Sequence, residues 1–321
     1  MSLHPPTNRT RVATVMLLLF LCGGFATTRA QQKPPQQRAA SATKDSVIFA
    51  VTGRADAEFT FEPIAIYRRG AFAGSITGES SPEELTSFAR SYYRAGQRYR
   101  LIWGGAEAGT LVAKESQKET DCGKASATAS VQTEVQLGGN RMALATNSPT
   151  LGLAKPSRRA PTDTERAAVR THVERLFREK GVPASALGKL QTINLTATDL
   201  NNDGAAELIG TYMIRRGEKK ILIDQLFVLA EPTAEGGVRM GFVNHKQLKG
   251  EDFGDPESLE SVGQSAFQTE ILVDQLDVDG DGTGEVFTIG YSFEGTNYAI
   301  YKKGAKGWAR VQEFNNYRCA Y

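Results

Sequence analysis

The sequence predicts a mostly β protein: an N-terminal β domain with one short helix, then a longer helix followed by two antiparallel β units. Three observations carry that prediction. Runs of β-branched and aromatic residues recur along residues 45–321, punctuated by glycine. Two stretches place a helix-start signal before an apolar stripe of helical period. Two nine-residue loops rich in Asp and Gly, Asp199–Glu207 and Asp277–Glu285, stand between strand-like runs.

Residues 1–30 read as a secretory signal peptide, with Arg9 and Arg11 before the apolar run Val12–Phe25 and a small-x-small end at Thr28-Arg29-Ala30. That run is too short to span a bilayer comfortably. Lipidation at Cys22 would want Gly, Ala or Ser before it, where Leu21 stands. The expectation is an exported protein, secreted or periplasmic, with no membrane span. Residues 31–44, rich in Gln, Pro and Lys, read as a disordered spacer. Losing the three arginines of residues 1–30 leaves 35 basic against 36 acidic residues, a net charge of −1. With no basic block and no nucleic-acid motif, a nucleic-acid partner is not expected.

Residues 45–150 form the predicted N-terminal β-rich domain. Its strands are expected at Ser46–Thr52, Ile64–Arg68, Gln97–Trp103, Thr110–Lys114, Ser126–Gln136 and Met142–Ala145. Ser81, Pro82 and Glu84 make a capping box for one helix, whose stripe is Leu85, Phe88, Ala89 and Tyr92 and whose stop is Gly96. The Gly104–Gly109 run lacks the Lys-Ser/Thr of a phosphate loop and reads as a β-turn. Residues 151–161 read as an interdomain linker with solvated charges. Thr162 and Glu165 then cap a helix bearing Val169, Val173, Leu176 and Phe177, ended by Gly181 and Pro183. Such a helix is suited to covering a sheet face or an open edge.

The two loops share one frame: Asp, Asp or Asn, and Asp at positions one, three and five, Gly at six and Glu at nine. A hard cation wants six to eight oxygens, and a tight loop turns its odd-numbered carboxylates inward while the Gly permits the bend. The expected side-chain ligands are Asp199, Asn201, Asp203 and Glu207, with the Ala205 carbonyl, and Asp277, Asp279, Asp281 and Glu285, with the Thr283 carbonyl. Even positions are expected to face out. The expected cofactor is Ca²⁺ at two sites, tighter in the second loop, which has four acids to the first loop's three. Position twelve is Gly210 or Thr288, so neither loop is an EF-hand. The competing reading is a hairpin turn with Asx hydrogen bonds and no metal.

The stretch Ala197–Gly210 and the loop Asp277–Glu285 resemble the FG-GAP or VCBS repeat, a β-propeller blade. The resemblance implies that each loop joins the first two strands of a four-stranded blade and holds structural calcium on the residues named above. Later strands are expected at Lys220–Ala230, Val238–Lys246, Tyr298–Lys303 and Trp308–Phe314. A closed propeller needs roughly four to eight blades. Two blade-like units within residues 162–321 therefore predict an incomplete one.

In an oxidising compartment Cys122 and Cys319 are expected to pair as a disulfide. With two histidines, His172 and His245, left after export, a zinc site is not expected. No residue is assigned a catalytic role, since no G-x-S-x-G or H-E-x-x-H motif is present. The functional expectation is an exported, non-enzymatic calcium-binding protein that recognises a protein or glycan partner. The alternative is a secreted hydrolase of polysaccharide or cell wall, with structural calcium and acids drawn from residues 249–260.

Overall fold

A computed structural model describes residues 45–53, 58–116, 125–217, 222–249, 269–292 and 295–317. The expected signal peptide, spacer and disulfide, and all of the acidic stretch except Lys249, lie outside these residues. The mostly antiparallel β character is as predicted.

The N-terminal strands form a closed barrel. Strands β1 (Ser46–Thr52), β2 (Phe59–Arg68), β4 (Arg98–Trp103), β5 (Ala106–Ser116), β6 (Ala127–Thr133) and β7 (Ala143–Thr146) pair in the order β1-β7-β4-β5-β6-β2, and β2 returns to β1. The short β3 (Ala71–Ala73) adds to β2 outside the ring. Period-two alternation sorts β1 onto two cores. Val47, Phe49 and Val51 point into the barrel, while Ile48 and Ala50 face the C-terminal sheet. Phe49 packs edge-on against Phe61 and Tyr99 at ring separations of 5.2 and 5.0 Å. Helix α1 (Pro82–Tyr92) adds Phe88 to that interior and is held at its start by the predicted reciprocal bonds of Ser81 and Glu84. Strand β2 begins five residues before the predicted Ile64. Pro63 lies within it, where the β1–β2 register slips, a position that spares the missing N–H.

The second half holds α2 (Asp163–Glu179), a 3-10 turn (Ala184–Lys189) and two four-stranded meanders. The first is β8 (Gln191–Thr198), β9 (Glu207–Arg216), β10 (Leu222–Pro232) and β11 (Val238–Lys249). The second is β12 (Glu270–Leu276), β13 (Glu285–Ser292), β14 (Gly295–Gly304) and β15 (Gly307–Tyr317). Thr162 and Glu165 make the predicted capping box of α2.

Both meanders are buried on both faces, which explains why their central strands read as nearly continuous apolar runs. Leu226, Val228 and Ala230 of β10 pack under α2 with Val169, Val173 and Phe177, while Phe227 and Leu229 face the second meander. There they meet Leu272, Val286 and Tyr301. The far side of the second meander, including Val273, Phe287, Ile289 and Ile300, packs on Ile48, Ile64, Ile102 and Leu144 of the barrel wall. The order of layers is helix, sheet, sheet, barrel.

Residues 151–161, expected as a linker, run as a strap across this stack. Leu153 N and Ser157 N donate to the carbonyls of Gly105 and Gly104, Gly152 N donates to Asp277 O, and Arg159 exchanges backbone bonds with Ala197. The expectation of solvated charges fails at Arg158, whose side chain is 6% exposed. Its Nη1 donates to the carbonyls of Met142 (3.0 Å) and Val273 (2.7 Å), and its guanidinium lies 5.7 Å from the Trp103 ring centroid. Of the turn predicted over Gly104–Gly109, only Gly104 and Gly105 turn, and residues 106–109 already belong to β5. Gly104 has φ +63°, and a Cβ there would stand 2.8 Å from Arg158 N, so only glycine admits the strap so close.

Candidate metal centre

The two Asp/Gly loops connect β8 to β9 and β12 to β13. They follow one backbone path. Position four is left-handed in both, with Asn202 at φ 56° and Gly280 at 76°, and position six repeats at 89° and 87° in Gly204 and Gly282. These turns close each loop around the carboxylate at position one. Asp199 accepts from the amides of Asn201, Asp203 and Gly204, and Asp277 from those of Gly280 and Gly282. At position five, Asp203 and Asp281 each accept from the amide two residues on, Ala205 or Thr283, at 2.8 Å. Asn201 Nδ2 donates to Asp203 Oδ2 at 3.0 Å.

Position nine is the buried end of each loop. Glu207 and Glu285 are 3% and 1% exposed, and each accepts the amide of the residue at position two, Leu200 (2.9 Å) or Val278 (3.0 Å). Burial pushes the Glu207 carboxyl up to about 6, the backbone bond from Leu200 opposing it, and burial raises Glu285 too. A cation beside either group would relieve that desolvation.

In the second loop Asp277, Asp279 and Glu285 each present an oxygen within 4.8 Å of the others. The donor set is carboxylate oxygen throughout, which suits a hard cation. Lys302 of β14 also reaches this loop, with Nζ 2.8 Å from Glu285 Oε1 and 3.5 Å from Asp281 Oδ2, and it hydrogen-bonds Asp279.

The expectation that even positions face out fails at position two of both loops and at position eight of the second, where Gly284 is buried. Leu200 and Val278 are buried, one between the meanders and one against the barrel wall, because the chain is still leaving a strand whose both faces are covered. The loop bases are joined to each other and to the strap. Gly284 N donates to Leu200 O at 2.6 Å, and Gln275 Nε2 donates to Thr198 Oγ1 (2.6 Å) and Asp199 O (3.2 Å). Ser157 Oγ bridges Asp199 N and O. A Cβ on Gly284 would fall 2.4 Å from Gln275 Oε1, so this position is glycine for a packing reason.

Beside the loops lies a buried ion pair that sequence reading missed. Asp274 is 1% exposed, accepts from Gly104 N (3.0 and 2.9 Å) and Gln275 N (2.8 Å), and stands 3.8 Å from Arg158 Nη1. Burial pushes its carboxyl up to about 7 against the opposing pull of Arg158 and the two amides. Lys302 was missed too, although the hairpin register that pairs Ser292 with Gly295 also sets residue 302 beside residue 285. The histidines stand apart from the loops, His172 half-buried on α2 and His245 bonded to Asp224.

No family model, curated protein or solved structure matches this chain. No helix of the described residues is long and apolar enough to cross a membrane.

Proposed function

We propose that this chain is an exported, non-enzymatic calcium-binding protein whose two loops hold Ca²⁺ structurally in FG-GAP/VCBS-like blades. The observation that carries the reading is the convergence of Asp277, Asp279 and Glu285 on one small volume, with Glu285 buried. Lys302 sets one positive charge against the four acids of this loop, which leaves a negative surplus that a divalent cation would balance. The matching backbone of the first loop, its three acids and the buried Glu207 support a second site of the same kind. Each loop ties its sheet to the strap, so a bound ion would stiffen the junction of barrel, strap and sheets, and the outer surface is left to a protein or glycan partner. The hydrolase alternative drew its acids from a stretch that lies outside the described residues but for Lys249, and no described geometry favours it.

The test is a calorimetric calcium titration with thermal melts in calcium and in chelator. Two sites are expected, with dissociation constants on the order of 10⁻⁵ to 10⁻³ M. Calcium should also raise the melting temperature, since it binds the folded loops and not the unfolded chain. Neither heat nor a shift would mean that the loops are plain turns.

A further inference from the structure

We infer that Lys302 is the resident cation of the second loop, so that calcium enters there only by displacing the lysine ammonium, while among the described residues the first loop has no such ion-paired competitor. The calcium half of this inference rests on the function proposed above. The Lys302 ammonium meets the carboxylates of positions three, five and nine at once, namely Asp279, Asp281 and Glu285. These are side-chain oxygens that a calcium ion in the same loop would need at 2.3–2.6 Å. Two cations that close repel strongly in a half-buried site. The ammonium must therefore swing out as the ion enters, and its exposure of about a third gives it a way out.

Strand register makes the arrangement specific to the second loop. On β13 and β14 Val286 pairs with Tyr301, which sets Glu285 beside Lys302. On β9 and β10 Leu208 pairs with Ala230, and one further step sets Glu207 beside Glu231, an acid where the second sheet has its lysine. Glu231 is itself engaged by Lys303, Arg239 and Trp308 Nε1. Among the described residues no lysine or arginine forms an ion pair with Asp199, Asp203 or Glu207; Lys303, whose charge is felt at Glu207, is itself held by Glu231. Four acids less one lysine leave the second loop with the same net charge as the first, three negative. The extra acid then confers no advantage, and the first loop becomes the tighter site, the reverse of what the acid count predicts.

The experiment is Lys302→Met in the full chain, titrated with CaCl₂ in a background where Asp203→Ala silences the first loop, and melted in EDTA. Second-loop affinity should tighten about tenfold, equivalent to ~1.4 kcal/mol. In EDTA the melting temperature should fall by at least about 3 °C as the acids lose their counter-charge. Lys306→Met, which removes the same charge from an exposed turn four residues on, should change neither. Lys302→Arg keeps the cation and secures a folded comparison; its calcium affinity should be no tighter than the parent's. An unchanged affinity in Lys302→Met, or tightening in Lys302→Arg, overturns the exchange while leaving calcium binding in place. Absence of calcium heat in every variant, with the EDTA destabilisation still seen, overturns the calcium reading and the exchange with it.

Discussion

Replacing Arg158 by Met removes the side chain that links the strap, the barrel and the second sheet. Arg158 is 6% exposed and its partner Asp274 1%, so the substitution leaves a carboxylate without its cation in a site closed to water. It also strips the donor from two backbone carbonyls, Met142 and Val273. Breaking a buried pair from one side costs about 3–5 kcal/mol. The methionine recovers part of the lost packing on Trp103, so the lower half of that range is expected. In a urea melt the midpoint should fall by about 1–2 M with an unchanged slope. Adding Asp274→Asn, which removes the orphaned charge and keeps an acceptor for Gly104 N, should restore at least half the loss.

The deficit should also depend on pH, with a sign that follows from Asp274. Its folded pKa of about 7 lies above its ordinary 3.8, so between those values the folded state holds a proton that the unfolded state has released. The contribution of this group is fully present below about pH 4 and is lost as pH rises through 7. Without Arg158 the anion is disfavoured further, so the electrostatic part of the gap between Arg158→Met and the parent should be small near pH 4.5 and should widen as pH rises through 7 and above, over a pH-independent loss from the two orphaned carbonyls. A loss under about 1 kcal/mol, or one that is flat with pH and unrelieved by Asp274→Asn, would refute the claim that this pair organises the junction.

Two further outcomes follow. Gly104→Ala puts a Cβ 2.8 Å from Arg158 N in a left-handed turn and should destabilise by about 1–3 kcal/mol, measured by the same melts, whereas Gly139→Ala, with open space at its Cβ, should cost only the left-handed strain. If Cys122 and Cys319 are bridged, intact mass after alkylation should show no modified thiol until the mature protein is reduced; two modified thiols without reductant would exclude the bridge.

What was legible in the sequence was local. The capping boxes at Ser81 and Thr162 are short patterns whose physics is settled within a few residues, and both are found where expected; of the turn expected over Gly104–Gly109 only Gly104 and Gly105 turn, and the rest extends into β5. What stayed hidden depends on pairing across the chain. Closure of the barrel needs β1 to meet β2 and β7 at once, and no short window encodes that. Arg158 looked solvated because it sits among Pro and Ser; only the distant Asp274 and Trp103 give it a reason to be buried. Lys302 lies 17 positions beyond Glu285, and its role appears only once the hairpin register is known.

Why two meanders suffice is answered by what covers them. A four-stranded sheet with two apolar faces cannot stand alone in water, and stacking two such sheets buries only the inner pair of faces. Here α2 covers one outer face and the barrel the other. Residues 162–321 expressed without the barrel would expose Ile271, Val273, Phe287, Ile289, Tyr298 and Ile300 together. At about 1.5–3 kcal/mol for each fully buried side chain, the six amount to roughly 9–18 kcal/mol. That matches or exceeds the whole stability of an ordinary domain, about 5–15 kcal/mol. The fragment should therefore aggregate or elute as an assembly on size exclusion, and lose the cooperative melt of the full chain. A monomeric fragment with a sharp transition would show that the barrel face is dispensable, and that the two meanders with α2 form a core of their own.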